Sequence, residues 1–462
     1  MKKVKRILFF DDRYLHVVRH AKRAMAPMKL MKDTLYGDPC PDIFTNIPNV
    51  FYSERLGKWL MLTYGMHLKN FFDVIQIHES QDGLHWAPFD TTKELPLKTR
   101  RYPNQLFELG QCGEYTVYRD ERAEEEERFR LLAVRKREES ALESCMFTSP
   151  DGLHWKDCHT QWHPCPPDLG PLTIFWNEKR QSYVIGTRPD MVDRRVSFIE
   201  TKDWKQFTPP QTVLETDALD TPACESYGLT VLPYDNYFLG LYWLFHPNAE
   251  QVTGTPDSTS GKYFDGYVDA QMTCSENGWY FKRSLREPVL PNGEPGEPDC
   301  GCIYPRGLRR AEDGSLLADA CIYPFEHGRW REFVHENGIH YSIGTYRIRE
   351  DGFCYYQNIG GEAFLGSRAL LYGGGTVTLN VQCPTGMFAL QVTDSRGKVL
   401  DGYAFEECEP FTGDSCAWEP RWKNGLTMEP LKGKVIRLEM KWKTGRLYAI
   451  HGELDLVLSP KD

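Results

Sequence analysis

The chain has 462 residues, a net charge of −10 and a charged fraction of 26%. That length exceeds one ordinary core and predicts two domains. The acidic balance, with no basic stripe, excludes nucleic acid and anionic membrane as expected partners, and no apolar run reaches membrane-span length.

The first element is a short strand over residues 7–10, behind Lys2, Lys3, Lys5 and Arg6 and ended by Asp11 and Asp12. Four apolar residues are too few for the core of a signal peptide, so a cytoplasmic protein is expected. Residues 20–33 are the one stretch that could carry a short helix. The rest reads as hairpins: residues 49–52 with 58–62, 115–118 with 129–132, 172–176 with 182–185, 229–232 with 237–240, and 307–310 with 315–318.

Each hairpin is followed by another strand and a recurring turn. Ser80-Gln81-Asp82-Gly83-Leu84-His85-Trp86 returns as Ser149-Pro150-Asp151-Gly152-Leu153-His154-Trp155. Weaker copies place Asp203, Asn277 and Asp351 at the equivalent position. Asp-Gly is a tight-turn signal, so these aspartates are expected to shape turns rather than to catalyse. Two hairpins per repeat make four strands, the content of one propeller blade. The fold class is therefore all-β: a five-bladed β-propeller over residues 1–355, carrying the catalytic site, followed by a β-sandwich over residues 356–462, where short alternating strands follow Gly373-Gly374-Gly375.

Fourteen cysteines contain no Cys-x-x-Cys pair and read as free thiols. No metal site or cofactor is expected. The aromatic fraction, 13% with twelve Trp, serves either β cores or the stacking faces of a sugar site.

The repeated Ser-x-Asp-Gly-x-x-Trp turns ahead of a sandwich resemble the β-fructosidase superfamily, which includes glycoside hydrolase families 43, 32 and 68. The stretches around Leu8-Phe9-Phe10-Asp11-Asp12, Asp265-Gly266-Tyr267-Val268-Asp269 and Ile343-Gly344-Thr345-Tyr346 resemble bacterial proteins labelled family-32-like more closely. The resemblance implies three carboxylates around a central funnel: a base or nucleophile, a transition-state stabiliser and a glutamic general acid. Trp-x-Asn-Asp-Pro-Asn-Gly and Arg-Asp-Pro, signatures of family 32, are absent, so the acids must be assigned by position. Asp42, Asp168, Glu225 and Asp299 each precede the first strand of a repeat, where residues from distant blades converge. Glu225 is the expected general acid and Asp42 the base or nucleophile. Asp168 and Asp299 compete for the stabilising role. Asn46, Asn104, Arg188, Tyr227 and Arg306 are expected to contact substrate.

The expected function is a glycoside hydrolase acting on a short oligosaccharide or glycoside by paired-carboxylate chemistry. Two alternatives stand beside it. One is a non-catalytic carbohydrate-binding or interaction propeller. The other is a glycoside phosphorylase, which a cluster of Arg or His at the funnel floor would favour.

Overall fold

The computed structural model describes residues 5–40, 42–67, 73–136, 142–166, 169–190, 194–221, 223–247, 265–327, 329 and 342–458. Strands β1 (Lys5–Leu8), β2 (Leu15–Arg19), β3 (Ala21–Met25) and β4 (Lys29–Leu30) open the chain. Here the structure corrects the sequence reading, because residues 20–33 form strands and one short 3-10 turn instead of a helix. Backbone pairing decides it: β3 hydrogen-bonds along its whole length to a strand near residue 356.

Three four-stranded antiparallel sheets follow. The first holds β5 (Ile43–Ser53), β6 (Lys58–His67), β7 (Asp73–Ser80) and β8 (Ala87–Pro88). The second holds β9 (Glu114–Arg119), β10 (Phe129–Lys136), β11 (Leu142–Ser149) and β12 (Lys156–Asp157). The third holds β13 (Thr173–Asn177), β14 (Ser182–Thr187), β15 (Val196–Thr201) and β16 (Gln211–Leu214).

The fourth sheet has eight strands in two antiparallel halves. One half is β17 (Glu225–Tyr234), β18 (Tyr237–Pro247), β19 (Gly266–Ser275) and β20 (Lys282–Leu290). The other is β21 (Cys302–Arg310), β22 (Leu316–Tyr323) and β23 (Ile343–Ile348), completed by β4 from the start of the chain. A single parallel pair, Val268 with Cys302, joins the halves.

The first strands touch in a closed cycle: β5 with β9, β9 with β13, β13 with β17, β17 with β21, and β21 with β5. Polar side chains stitch this ring. Asn49 accepts from the Val117 N–H at 2.9 Å, and Thr116 donates to the Pro171 carbonyl at 2.6 Å. Thr173 accepts from the Val231 N–H at 3.1 Å, and Thr230 donates to the Pro305 carbonyl. These bonds satisfy backbone groups at the centre of the ring that no ladder reaches. Apolar cores fill the spaces between neighbouring sheets, as where Phe51 meets Phe129 at 4.9 Å and Phe175 meets Phe238 at 5.6 Å.

The last strands are β24 (Cys354–Asn358), β25 (Ala363–Ser367), β26 (Leu370–Tyr372), β27 (Thr378–Asp394), β28 (Phe411–Trp418), β29 (Val435–Trp442), β30 (Arg446–Gly452) and β31 (Leu454–Leu456). With β1, β2 and β3 they form an eleven-stranded sheet. Its main path runs β2-β25-β29-β27-β30-β24-β3. Strands β2 and β3 are separated only by His20, at φ 49°, so both ends of the path belong to one bent stretch of chain and the sheet is nearly closed on itself. The strands of residues 5–25 thus pair with the C-terminal strands and not with the sheets of residues 43–348.

Four of the five repeat positions share one turn. Asp82 accepts the N–H groups of Leu84 and His85 at 2.8 and 2.9 Å, and Asp151 those of Leu153 and His154 at 2.9 and 2.8 Å. Asp203 does the same with Lys205 and Gln206, and Asn277 with Trp279 and Tyr280. Because an asparagine already serves at 277, Asp82→Asn should keep the turn and shift stability by no more than ~1 kcal/mol in urea unfolding. A loss of several kcal/mol would show that the charge, and not the acceptor, holds the turn.

Asp351 breaks the pattern. It is fully buried and joins Tyr234 at 2.7 Å, His451 at 2.6 Å and Arg6. Those partners bring the eleven-stranded sheet against the end of β17.

His78, on β7, is buried between the hydroxyls of Tyr36 and Thr63, each 2.8 Å away. Burial pushes its pKa down to about 3. The unfolded imidazole takes its proton near pH 6.5. The folded state therefore loses stability progressively as pH falls from about 6.5 towards 3. The drop in unfolding free energy between pH 7 and pH 4.5 should be smaller for His78→Gln than for the wild type, and equal drops would contradict this.

Candidate functional site

Inside the ring of first strands lies a cavity of about 230 Å³. Its walls come from the first, second, fourth and fifth repeats, with Leu169 from the third: Phe44, Asn46, Glu114, Tyr227, Trp243, Tyr304, Arg306, Tyr323 and His327 among them. A larger hollow at residues 179–208 is walled by the third sheet alone, so no residues from separate sheets converge there.

Three of these side chains are aimed by irregularities in the ladders. In β5 the register shifts between Asn46 and Asn49, where Ile47 sits at φ 52°. In β17 the shift falls between Ser226 and Gly228, leaving Tyr227 as the extra residue. In β21 it falls between Pro305 and Gly307, leaving Arg306 as the extra residue. A bulge turns one side chain out of the regular alternation and is often found beside a functional site. Gly228 matters here through space: a Cβ would lie 2.7 Å from the Trp243 ring.

Arg306 is buried and crosses the ring. Its Nη2 donates to the Tyr115 carbonyl at 2.9 Å and lies 3.5 Å from that of Pro171, while its Cζ stands 5.6 Å from the centre of the Trp243 ring. A second cavity of about 140 Å³, lined by Asn49, Thr116, Thr173 and Thr230, lies on its other side. Arg306 lines both and so forms the floor of the first. Burial lowers its pKa, against the opposing charge of Glu114 at the start of β9.

The upper wall is aromatic. Tyr227 lies 5.3 Å from Tyr304 and 5.1 Å from His327, ring centre to ring centre. The His327 Nδ1 is 2.8 Å from the Tyr304 hydroxyl, and its Nε2 is 3.4 Å from that of Tyr227. Burial, aided by the nearby charges of Arg194 and Arg188, pushes the His327 pKa down to about 3. Its surroundings thus favour the neutral imidazole.

Of the residues expected to contact substrate, Asn46, Tyr227 and Arg306 line the cavity. Arg188 is buried behind it, with Cζ 4.8 Å from the Tyr227 ring centre and Nη2 3.3 Å from the Tyr227 carbonyl. Asn104 lies elsewhere, donating to Asp38 at 2.9 Å and accepting from Gln76 at 3.2 Å.

The expected acids are distributed differently. Glu225 starts β17 two residues before Tyr227, exposed and ion-paired with Arg194. Arg194 itself is 5.7 Å from the Tyr227 ring centre, and neither member of the pair lines the cavity. Asp42 is half-buried in the turn before β5 and does not line the cavity. Asp299 is buried and accepts the Tyr346 hydroxyl at 2.6 Å, away from the lining. Asp168 falls outside the described residues. Glu114 is the carboxylate that sequence reasoning missed: it is the one described carboxylate in the lining, and only its place at the start of β9 could have marked it.

No family model matches the chain, and no curated protein matches it. Solved structures resemble its trace. One is of the GH130 family of mannoside phosphorylases, described as containing glycoside hydrolases that target beta-1,2 mannosidic linkages in Candida mannan; it shares 12% identity over 71% of this chain and 94% of its own, with a TM-score of 0.45. A thermostable family-43 glycoside hydrolase shares 13% over 71% and 96%, TM-score 0.42. An endo-arabinase from Bacteroides thetaiotaomicron shares 11% over 63% and 95%, TM-score 0.39.

Proposed function

We propose that the protein is a carbohydrate-active enzyme, a glycoside hydrolase that takes one terminal sugar into the axial cavity. In this reading the five four-stranded units spanning β4–β23 are the blades of a propeller. The eleven-stranded sheet is a nearly closed sandwich-like cap built from both ends of the chain. The observation that carries the function is the cavity itself: aromatic rings, a carboxylate, an amide and a guanidinium from separate repeats meet at one point.

Flat rings such as Tyr227 and Tyr304 offer apolar faces to a sugar, and Asn46, Glu114 and Arg306 offer hydrogen bonds to its hydroxyls. At about 230 Å³ the cavity is smaller than a usual ligand pocket of ~300–1,000 Å³, which suits a single ring. The floor at Arg306 blocks passage, so cleavage at a chain end follows. The leaving group then points to the mouth, where Glu225 would protonate it, while Glu114 inside would attack the anomeric carbon or activate water. Asp42, in the turn before β5, remains a proposal for the rim, and so does Asp168 from its place in the sequence alone.

A screen of aryl glycosides tests the reading. Turnover that falls with every glycoside in Glu114→Gln, and mainly with unactivated glycosides in Glu225→Gln, supports it. Binding of sugars without turnover of any glycoside would instead favour a non-catalytic carbohydrate-binding propeller.

A further inference from the structure

Several buried or partly buried arginines in this protein have anionic partners. Arg6 meets Asp351 and Glu350, Arg130 meets Asp120, Arg283 meets Asp220, and Arg309 meets Asp319. Arg306 is buried, yet its hydrogen bonds run to two backbone carbonyls, and its Nε has no hydrogen-bond partner. A buried ion without a close counter-charge is costly, and proteins retain one where it meets a ligand. The charge of Glu114 reaches Arg306, but burial outweighs it. In the same cavity the Asn46 Oδ1 is buried without a hydrogen-bond partner. One orphan cationic donor and one orphan acceptor thus share a space sized for a single sugar ring.

We infer that the cavity floor is an oxyanion subsite, in which Arg306 holds the carboxylate of an acidic sugar or a phosphate while Asn46 accepts a neighbouring hydroxyl. This rests on the carbohydrate reading for its hydroxyl partner, though not for its anion. A guanidinium is suited to either oxyanion because its planar donors match both geometries.

Isothermal titration with four probes separates the sources: D-glucuronate, D-galacturonate, D-glucose and inorganic phosphate. At least one anionic probe should bind ~10-fold or more tighter than glucose, the usual scale of a hydrogen bond to a charged group. Arg306→Gln should abolish that preference. Because Arg306 also braces two carbonyls, that variant can fail to fold. Glu114→Gln keeps those braces and removes the opposing charge, so it should tighten anion binding several-fold.

Uronate binding supports an acidic-sugar substrate. Phosphate binding without uronate binding supports the oxyanion site with phosphate as its occupant, the arrangement a phosphorylase needs. Glucose bound as tightly as every anion would overturn the subsite and leave the carbohydrate reading intact. Phosphate bound while every sugar is refused would keep the subsite and overturn the carbohydrate reading. Anion affinity that falls in Glu114→Gln would overturn the subsite directly.

Discussion

Glu225→Gln should lower turnover of an unactivated glycoside by ~10²–10⁴, the usual contribution of a positioned proton donor. An activated aryl glycoside should lose far less, because its leaving group departs without protonation. The exposed setting of Glu225 makes this a clean experiment: an exposed ion pair such as that with Arg194 contributes only ~0–1 kcal/mol to folding. Glu114→Gln should behave differently. An attacking or water-activating group is needed whatever leaves, so both substrates should fall together by ~10²–10⁴. Equal losses across the two substrates in Glu225→Gln would remove its acid role. An unaffected Glu114→Gln enzyme would move the chemistry out of the axial cavity.

Asp351→Asn should cost ~3–5 kcal/mol, the range for breaking a buried ion pair by removing one partner. The substitution keeps the shape and leaves Arg6 facing an amide, with His451 losing its carboxylate partner. Burial opposes ionisation of Asp351, but the His451 hydrogen bond and the Arg6 charge prevail and hold its carboxyl below the ordinary carboxylate range. An unfolded aspartate titrates near pH 4. The stabilisation is therefore fully present above about pH 4 and lost as pH falls through the lower folded value. Urea unfolding at pH 7 reads the cost, and the gap between wild type and variant should narrow in acid. A penalty below ~1 kcal/mol, the size of an ordinary surface change, would mean that the cluster is incidental.

The repeat was legible because its chemistry is local. A Ser-x-Asp-Gly turn satisfies its own N–H groups within four residues, so the sequence carries the whole instruction at 82, 151, 203 and 277. Asp351 reads the same way in sequence, yet Arg6 and His451 lie 345 and 100 positions away and claim it. Of β1–β3, β1 alone was legible as a strand, and none was legible as a partner of β24, β25 or β30, since alternation does not say which sheet a strand joins. The site was half legible for a similar reason. Tyr227 and Arg306 each precede a glycine, a hint of irregular backbone. The bulge itself is a mismatch between two strands and is written in neither alone. Acids placed just before first strands seemed poised over the centre, but Asp299 is turned aside by the Tyr346 hydroxyl. Glu114 sits one step further in, with nothing nearby to single it out.

The pairing of β1–β3 with β24, β25 and β30, and of β4 with β23, sets the order of events during synthesis. Residues 5–30 leave the ribosome well before their strand partners, which lie beyond residue 342. The first three sheets are contiguous in sequence and can form as they emerge. The opening segment must wait with its strand edges bare, and exposed edges of that kind invite pairing with other chains. Closure across more than 300 residues also makes a slow final step, because distant contacts are reached only after their loops are closed. Fragments cut near residue 350 should therefore be recovered mainly as aggregates, and adding back residues 351–462 as a separate chain should rescue solubility.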